Sequence, residues 1–166
     1  MRNFSFTPHY CDARSFIKTT SCKYDIVFLD AFTPLKLPTL WSEEFFLQLY
    51  NITNEDSMIV TYSNSSAVRN AMKKAGFFVG KTLDKNNRPS GTVASKNANF
   101  IEHPLDEFDL GLMSTNAGVT FNDPKLNWDA EKILDYYNLK KSRLNLQSSS
   151  SYIKSHKRKE EFPCTT

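Results

Sequence analysis

Tyr24-Asp25-Ile26-Val27-Phe28-Leu29-Asp30-Ala31-Phe32-Thr33-Pro34-Leu35-Lys36-Leu37-Pro38-Thr39-Leu40-Trp41 is the stretch on which the reading of this chain turns. Residues 26–29 form an unbroken apolar run, β-branched at Ile26 and Val27 and too short for a globular helix. Such a run predicts a strand buried on both faces, as in a parallel sheet. It stops on a carboxylate, Asp30, and Pro34 and Pro38 then forbid an immediate helix. The next helix is expected to begin near Trp41-Ser42-Glu43-Glu44. An acid at the carboxyl end of a buried parallel strand, leading into a proline-stiffened loop, stands where open α/β sheets bind ligands. Asp30 also has a plainer reading, as a loop cap that satisfies backbone N–H groups. Phe32, an aromatic two residues on, and Pro34, which fixes the path of the loop, favour the binding role.

On either side of this stretch, strands and helices alternate. Residues 3–11 carry Phe4, Phe6, Pro8 and Tyr10 in loose alternation and read as a strand ending at Cys11-Asp12-Ala13-Arg14. Residues 15–20 are short and helical or irregular. Apolar residues at 45, 46, 49 and 50 mark a helix, with Ser42 as N-cap and Glu43 and Glu44 at the positive end of its dipole. Residues 57–62 read as a second buried strand. Ser63-Asn64-Ser65-Ser66 opens a helix over 67–75, closed by Gly76. Residues 77–83 and 91–95 are strands joined by a polar turn, a hairpin expected to add an antiparallel edge. The order predicts an α/β fold with a mainly parallel sheet. Helices follow at 105–113 and 129–140. From Lys140 the chain turns polar, with serines at 148–151 and the basic run Lys154-Ser155-His156-Lys157-Arg158-Lys159. This end reads as loosely ordered, its basic run either holding RNA or keeping a tail soluble. The chain thus divides into an α/β part, residues 1–103, and a helical extension with a flexible basic tail, residues 104–166.

Composition narrows the classes. At 166 residues and 40% hydrophobic the chain suits one domain with a core. No apolar run reaches the length of a membrane span, and the N-terminus lacks a signal-peptide core. A net charge of +3 is compatible with RNA without being diagnostic. Cys11, Cys22 and Cys164 are odd in number and show no C-x-x-C spacing, which predicts reduced cytoplasmic thiols. His9, His103 and His156 are scattered, so no metal site is expected. The glycines at 76, 80, 91, 111 and 118 contain no G-x-G spacing.

Asp30-x-Phe32-x-Pro34 resembles the acid–aromatic–proline loop that amino-group methyltransferases place after their fourth strand. Residues 24–34 together with Pro38-Thr39-Leu40-Trp41-Ser42-Glu43-Glu44-Phe45-Phe46 resemble the methyltransferase domain of the MnmC family, which acts in tRNA 5-methylaminomethyl-2-thiouridine biosynthesis. Thr61-Tyr62-Ser63, Ala67-Val68-Arg69 and Ala75-Gly76-Phe77 match that family's fifth strand and following helix, and Asp12-Ala13-Arg14 the end of its third strand. The resemblance covers residues 4–100. Asn122-Asp123-Pro124-Lys125-Leu126 and the serine run are similar to stand-alone members that lack the oxidoreductase half.

The resemblance implies a Rossmann-like class I S-adenosylmethionine-dependent methyltransferase sheet, represented from its third strand onward. Its front, with the glycine-rich cofactor turn, is expected to lie outside these residues, which marks the domain as N-terminally truncated. A partner chain or dimer is then expected to complete the sheet. The implied reaction is methyl transfer from S-adenosyl-L-methionine to the amine of 5-aminomethyl-(2-thio)uridine, in the anticodon loop of a cytoplasmic tRNA. Asp30 would be catalytic, accepting a hydrogen bond from the amine and taking its proton, and would also border the cofactor. Asp12 would accept from the cofactor's adenine amino group and Ala13 N–H would meet a ring nitrogen. Phe32 would stack on the uracil, with Pro34 beside it. Lys81, Lys85 and Arg88 are the candidates for tRNA backbone contact. Trp41 reads as packing anchor or stacking aromatic, and Tyr62 and Ser63 as site lining or helix cap. Arg69, Lys73 and Lys74 read as a solvated face or as phosphate contacts. The competing reading is a non-catalytic α/β fragment serving as an RNA-binding or partner module, which the lack of a glycine-rich turn favours.

Overall fold

A computed structural model of the chain describes residues 4–161, and side chains through residue 156. Helix α1 (Ala13–Thr19) leads into strand β1 (Tyr24–Phe28), followed by α2 (Glu43–Ile52), β2 (Thr53–Thr61), α3 (Ser66–Lys74), β3 (Phe78–Leu83) and β4 (Pro89–Ser95). Three helices complete the described chain: α4 (Glu107–Met113), α5 (Ala130–Arg143) and α6 (Ser149–Glu161). The sheet order is β1-β2-β4-β3. β1 pairs parallel with β2, and β4 runs antiparallel to both β2 and β3. The carboxyl ends of β1, β2 and β3 therefore lie together.

Local chemistry explains the helix ends. Ser42 Oγ accepts from Phe45 N at the start of α2, with Glu43 and Glu44 in the first turn. Gly76, at φ 107°, takes the left-handed position that ends α3. Asp106 and Asp109 form a reciprocal capping box on α4, and Asp129 caps α5.

The core lies on one face of the sheet. Val27, Ile59, Ala94 and Val79 are register partners across all four strands. They pack against Phe45, Phe46 and Leu49 of α2 and Val68, Ala71 and Met72 of α3. The next row alternates to the opposite face. There Ile26 is 45%, Phe28 73% and Phe78 53% exposed. β1 is thus buried on one face, not on both as its apolar run suggested, because no described helix covers the other face.

Three further expectations change. Residues 4–10 form no strand: Phe4, Phe6 and Tyr10 stand exposed, and no described strand lies beside them to pair with; Asn3 lies outside the described residues. The antiparallel strand is not the sheet edge but is inserted between β2 and β3, and Thr92, Val93, Ala94 and Ser95 are accordingly buried. The end of the chain is not loose where it is described. Tyr152 and His156, one turn apart in α6, pack their rings against Phe108 of α4 at 5.7 and 5.4 Å between centroids. The side chains of Lys157, Arg158 and Lys159, like residues 162–166 with Cys164, lie outside the described part. No described helix is long and apolar enough to cross a membrane.

Candidate active site

The loop that leaves β1 lines a cavity. Asp30, Ala31, Phe32, Thr33, Lys36, Leu37 and Leu40, with Tyr62 from the end of β2, line an open cavity of about 600 Å³. That volume is in the range of small-molecule and cofactor sites. Two side-chain donors, one exposed and one buried, fix the loop. Tyr62 Oη donates to the Ala31 carbonyl at 2.6 Å. Trp41 Nε1 donates to the next carbonyl, that of Phe32, at 2.8 Å. Trp41 itself is fully buried, so it anchors the loop from below and is no stacking surface. Thr33 and Pro34 open a tight turn in which Lys36 N and Leu37 N both donate to the Thr33 carbonyl. Pro34 suits the second position of such a turn because its φ is preset.

Holding the backbone leaves the side chains free. Asp30 is exposed, and among the described residues its carboxylate accepts no hydrogen bond. The loop-cap reading of Asp30 therefore falls away. Phe32 is 73% exposed. An acid and an aromatic ring, both unpartnered and both presented by a pinned loop, can receive an amine and a flat ring. Pro34 does not line this cavity; it borders a neighbouring hollow of about 330 Å³ with Ser65, Phe121 and Tyr137.

Other predicted residues are placed elsewhere. Asp12 is the N-cap of α1, accepting from Arg14 N. Its Oδ1 also accepts from Arg14 Nε, and its Oδ2 from Arg14 Nε and Nη2. The Arg14 hydrogen bond holds its carboxyl below the usual range. Asp12 and Ala13 do not line the Asp30 cavity. Ala13 N–H is one of the donors that the first turn of α1 leaves without an intrahelical acceptor. Arg14 reaches across to Asp123 at 2.7 Å, so this cluster staples α1 to the loop before α5.

Lys81 is also engaged: it pairs with Asp106 at 2.7 Å and Asp109 at 2.8 Å, and is not free for a phosphate. Lys85 and Arg88 are exposed in the turn between β3 and β4, where Asp84 Oδ1 accepts from Asn86 N and Arg88 N. That turn lies at the same sheet end as Asp30, three strand spacings away, or roughly 14 Å. Arg69 is neither solvated nor on the surface. It is buried, donating to Thr92, Asn64, Gly91 and Asp109, and burial lowers its pKa against the pull of Asp109. Lys74 pairs with Glu43 at 2.6 Å, and Lys73 is exposed. Ser63 is buried in the turn into α3.

Sequence reasoning missed Lys36 and the donors from Tyr62 and Trp41. The signal for Lys36 was present: a lysine within seven residues of the acid, between the two prolines. The Tyr62 contact spans 31 residues and left no local signal.

The family model that matches residues 2–97 describes an S-adenosyl-L-methionine-dependent methyltransferase. An uncharacterised protein of Methanocaldococcus jannaschii is 29% identical over 125 residues, covering 75% of this chain and 35% of that protein. The tRNA 5-methylaminomethyl-2-thiouridine biosynthesis bifunctional protein MnmC of Campylobacter hominis is 30% identical over 125 residues, covering 71% and 19%. That of Ralstonia nicotianae is 36% identical over 84 residues, covering 51% and 13%. The crystal structure of MNMC2 from Aquifex aeolicus superposes with a TM-score of 0.74 at 34% identity, over 81% of this chain and 44% of that one. The chain spans about a third or less of the length of these curated relatives. The mixed sheet, the pinned acid–aromatic loop and a model match over more than half of the residues agree: the chain belongs to the S-adenosyl-L-methionine-dependent methyltransferase family.

Proposed function

We propose that the chain contributes the substrate-side half of an enzyme that methylates the amine of 5-aminomethyl-(2-thio)uridine at the wobble position of cytoplasmic tRNA. The observation that supports this most is the Asp30 carboxylate, exposed and without a hydrogen-bond partner on a loop pinned by Tyr62 and Trp41. The names of the MnmC relatives point to the same chemistry.

The residues present fit the cofactor in part. Ala13 N–H offers a donor for a ring nitrogen. Asp12 meets an adenine amino group only if Arg14 yields, since both its oxygens are occupied. No described strand is followed by a glycine-rich turn for the methionine end. The family's cofactor supplies an electrophilic methyl group. Asp30 would accept a hydrogen bond from the incoming amine, aim its lone pair, and take the proton that the nitrogen loses. Phe32 would stack on the uracil once the nucleotide is turned out of the anticodon loop. Lys85 and Arg88 would meet tRNA phosphates from the hairpin turn.

Calorimetry with S-adenosylhomocysteine, followed by methyl transfer to aminomethyl-tRNA, tests the reading. Micromolar binding and transfer are expected once the sheet is completed, in cis or by a partner chain or dimer. Absence of both, even in the completed sheet, would favour the non-catalytic module.

A further inference from the structure

The loop holds a third group that the reaction does not use. Lys36 lies six residues after Asp30, lines the same cavity, and is exposed. Among the described residues its ammonium makes no hydrogen bond and no ion pair. Several other lysines are committed: Lys74 to Glu43, Lys81 to Asp106 and Asp109, Lys140 to Glu43 and Thr120. The position of Lys36 is not left to chance. Its backbone N–H donates to the Thr33 carbonyl at 2.8 Å, in the turn that Pro34 preforms, and the Phe32 carbonyl just before that turn is held by Trp41.

One short loop therefore presents a carboxylate, an aromatic face and an ammonium to one cavity of about 600 Å³. A nucleotide with an aminomethyl base carries the three complementary groups: an amine, a flat ring and a phosphate. Resting on the tRNA reading above, the geometry points to Lys36 as the residue that binds the backbone phosphate next to the target nucleotide. Asp30 and Lys36 then divide the substrate by charge. The acid takes the cationic end and the ammonium the anionic end, so the base enters in one orientation. Lys85 and Arg88, at the same sheet end, extend the positive path along the backbone.

The test is the salt dependence of binding of an unmodified anticodon stem-loop RNA by the full chain, read by fluorescence anisotropy. Each phosphate contact to a single strand contributes about 0.7 to the slope of log affinity against log salt. K36Q is expected to lower the slope by about that amount and to weaken binding several-fold at low salt. K36R is expected to keep the wild-type slope, because it keeps the charge. Melting of K36Q should match the wild type, as the side chain is exposed and unpaired. A wild-type slope in K36Q would overturn the inference and leave the methyltransferase reading standing. An equal loss in K36R would also overturn it, since charge would then not be what matters. No RNA binding by the unaltered chain would overturn the inference, while the methyltransferase reading would still be decided by transfer in the completed sheet.

Discussion

Two loops of this molecule are built from similar residues and treated in opposite ways. The loop after β1 contains Asp30, Phe32, Pro34 and Lys36; the loop before α5 contains Asp123, Pro124, Lys125 and Trp128. Asp123 is fully buried and accepts from Arg14, Asn127 N and Trp128 N, while its own N–H donates to Glu44. Asp30 is exposed and accepts from nothing described. In the second loop the side chains hold the backbone. In the first, outside donors hold the backbone and the side chains are left over. A buried charge kept without its partners costs several kcal/mol, so Asp123 must be satisfied for the fold to stand. An exposed acid that satisfies nothing contributes little to stability, which is why the proposed function assigns it to substrate.

Asp123→Ala should destabilise the chain by about 3–4 kcal/mol, since Arg14 and two backbone N–H groups lose their acceptor. For a chain of this size that is a melting decrease on the order of 10 °C, read by thermal denaturation. A change below a few degrees would mean that the second loop is not structural.

Tyr62→Phe separates holding from touching. It removes one hydrogen bond, to the Ala31 carbonyl, and should cost about 1 kcal/mol of stability. Methyl transfer by the completed enzyme should fall several-fold, through kcat more than through the KM for tRNA, because Asp30 loses its aim. Unchanged kcat would show that the loop is held well enough by Trp41 alone.

The smallest effect is expected from pH, and it belongs to the paired regions. The Lys81 hydrogen bond pulls Asp106 down to about 2. An unfolded aspartate titrates at about 4. This contribution is therefore fully present above about pH 4 and is lost as pH falls toward about 2. Lys81 is raised by the same contacts, so its share is present below its unfolded value and is lost as pH climbs past the folded one. Asp106 is more than half exposed, which limits the pair to under about 1 kcal/mol. Melting between pH 4 and 2 should flatten in Lys81→Met; an unchanged acid slope would remove the pair from the account.

Signals carried within a few residues were legible in the sequence. Ser42 and Gly76 sit where capping chemistry put them, and the acid–aromatic–proline loop sits at the end of its strand. What depended on distant partners was not. Arg14 finds Asp123 across 109 positions, and Arg69 finds Asp109 across 40. The pattern at Phe4, Phe6 and Tyr10 has strand periodicity but no described neighbour to pair with. The serine-rich end lacks a strong helical signal until Tyr152 and His156 meet Phe108. One local signal was passed over: Arg14, two residues after Asp12, occupies that carboxylate, while no described group occupies that of Asp30.

The measurement that bears most directly on the central claim is methyl transfer to aminomethyl-tRNA by Asp30→Asn in the completed enzyme, with its melting temperature recorded alongside. Melting is expected within about 2 °C of the wild type, as for an exposed surface site, with a rate lower by about 10²–10⁴, the usual loss of a general base. A rate within a few-fold of the wild type would contradict that claim, and would leave the exposed carboxylate of Asp30 without a function.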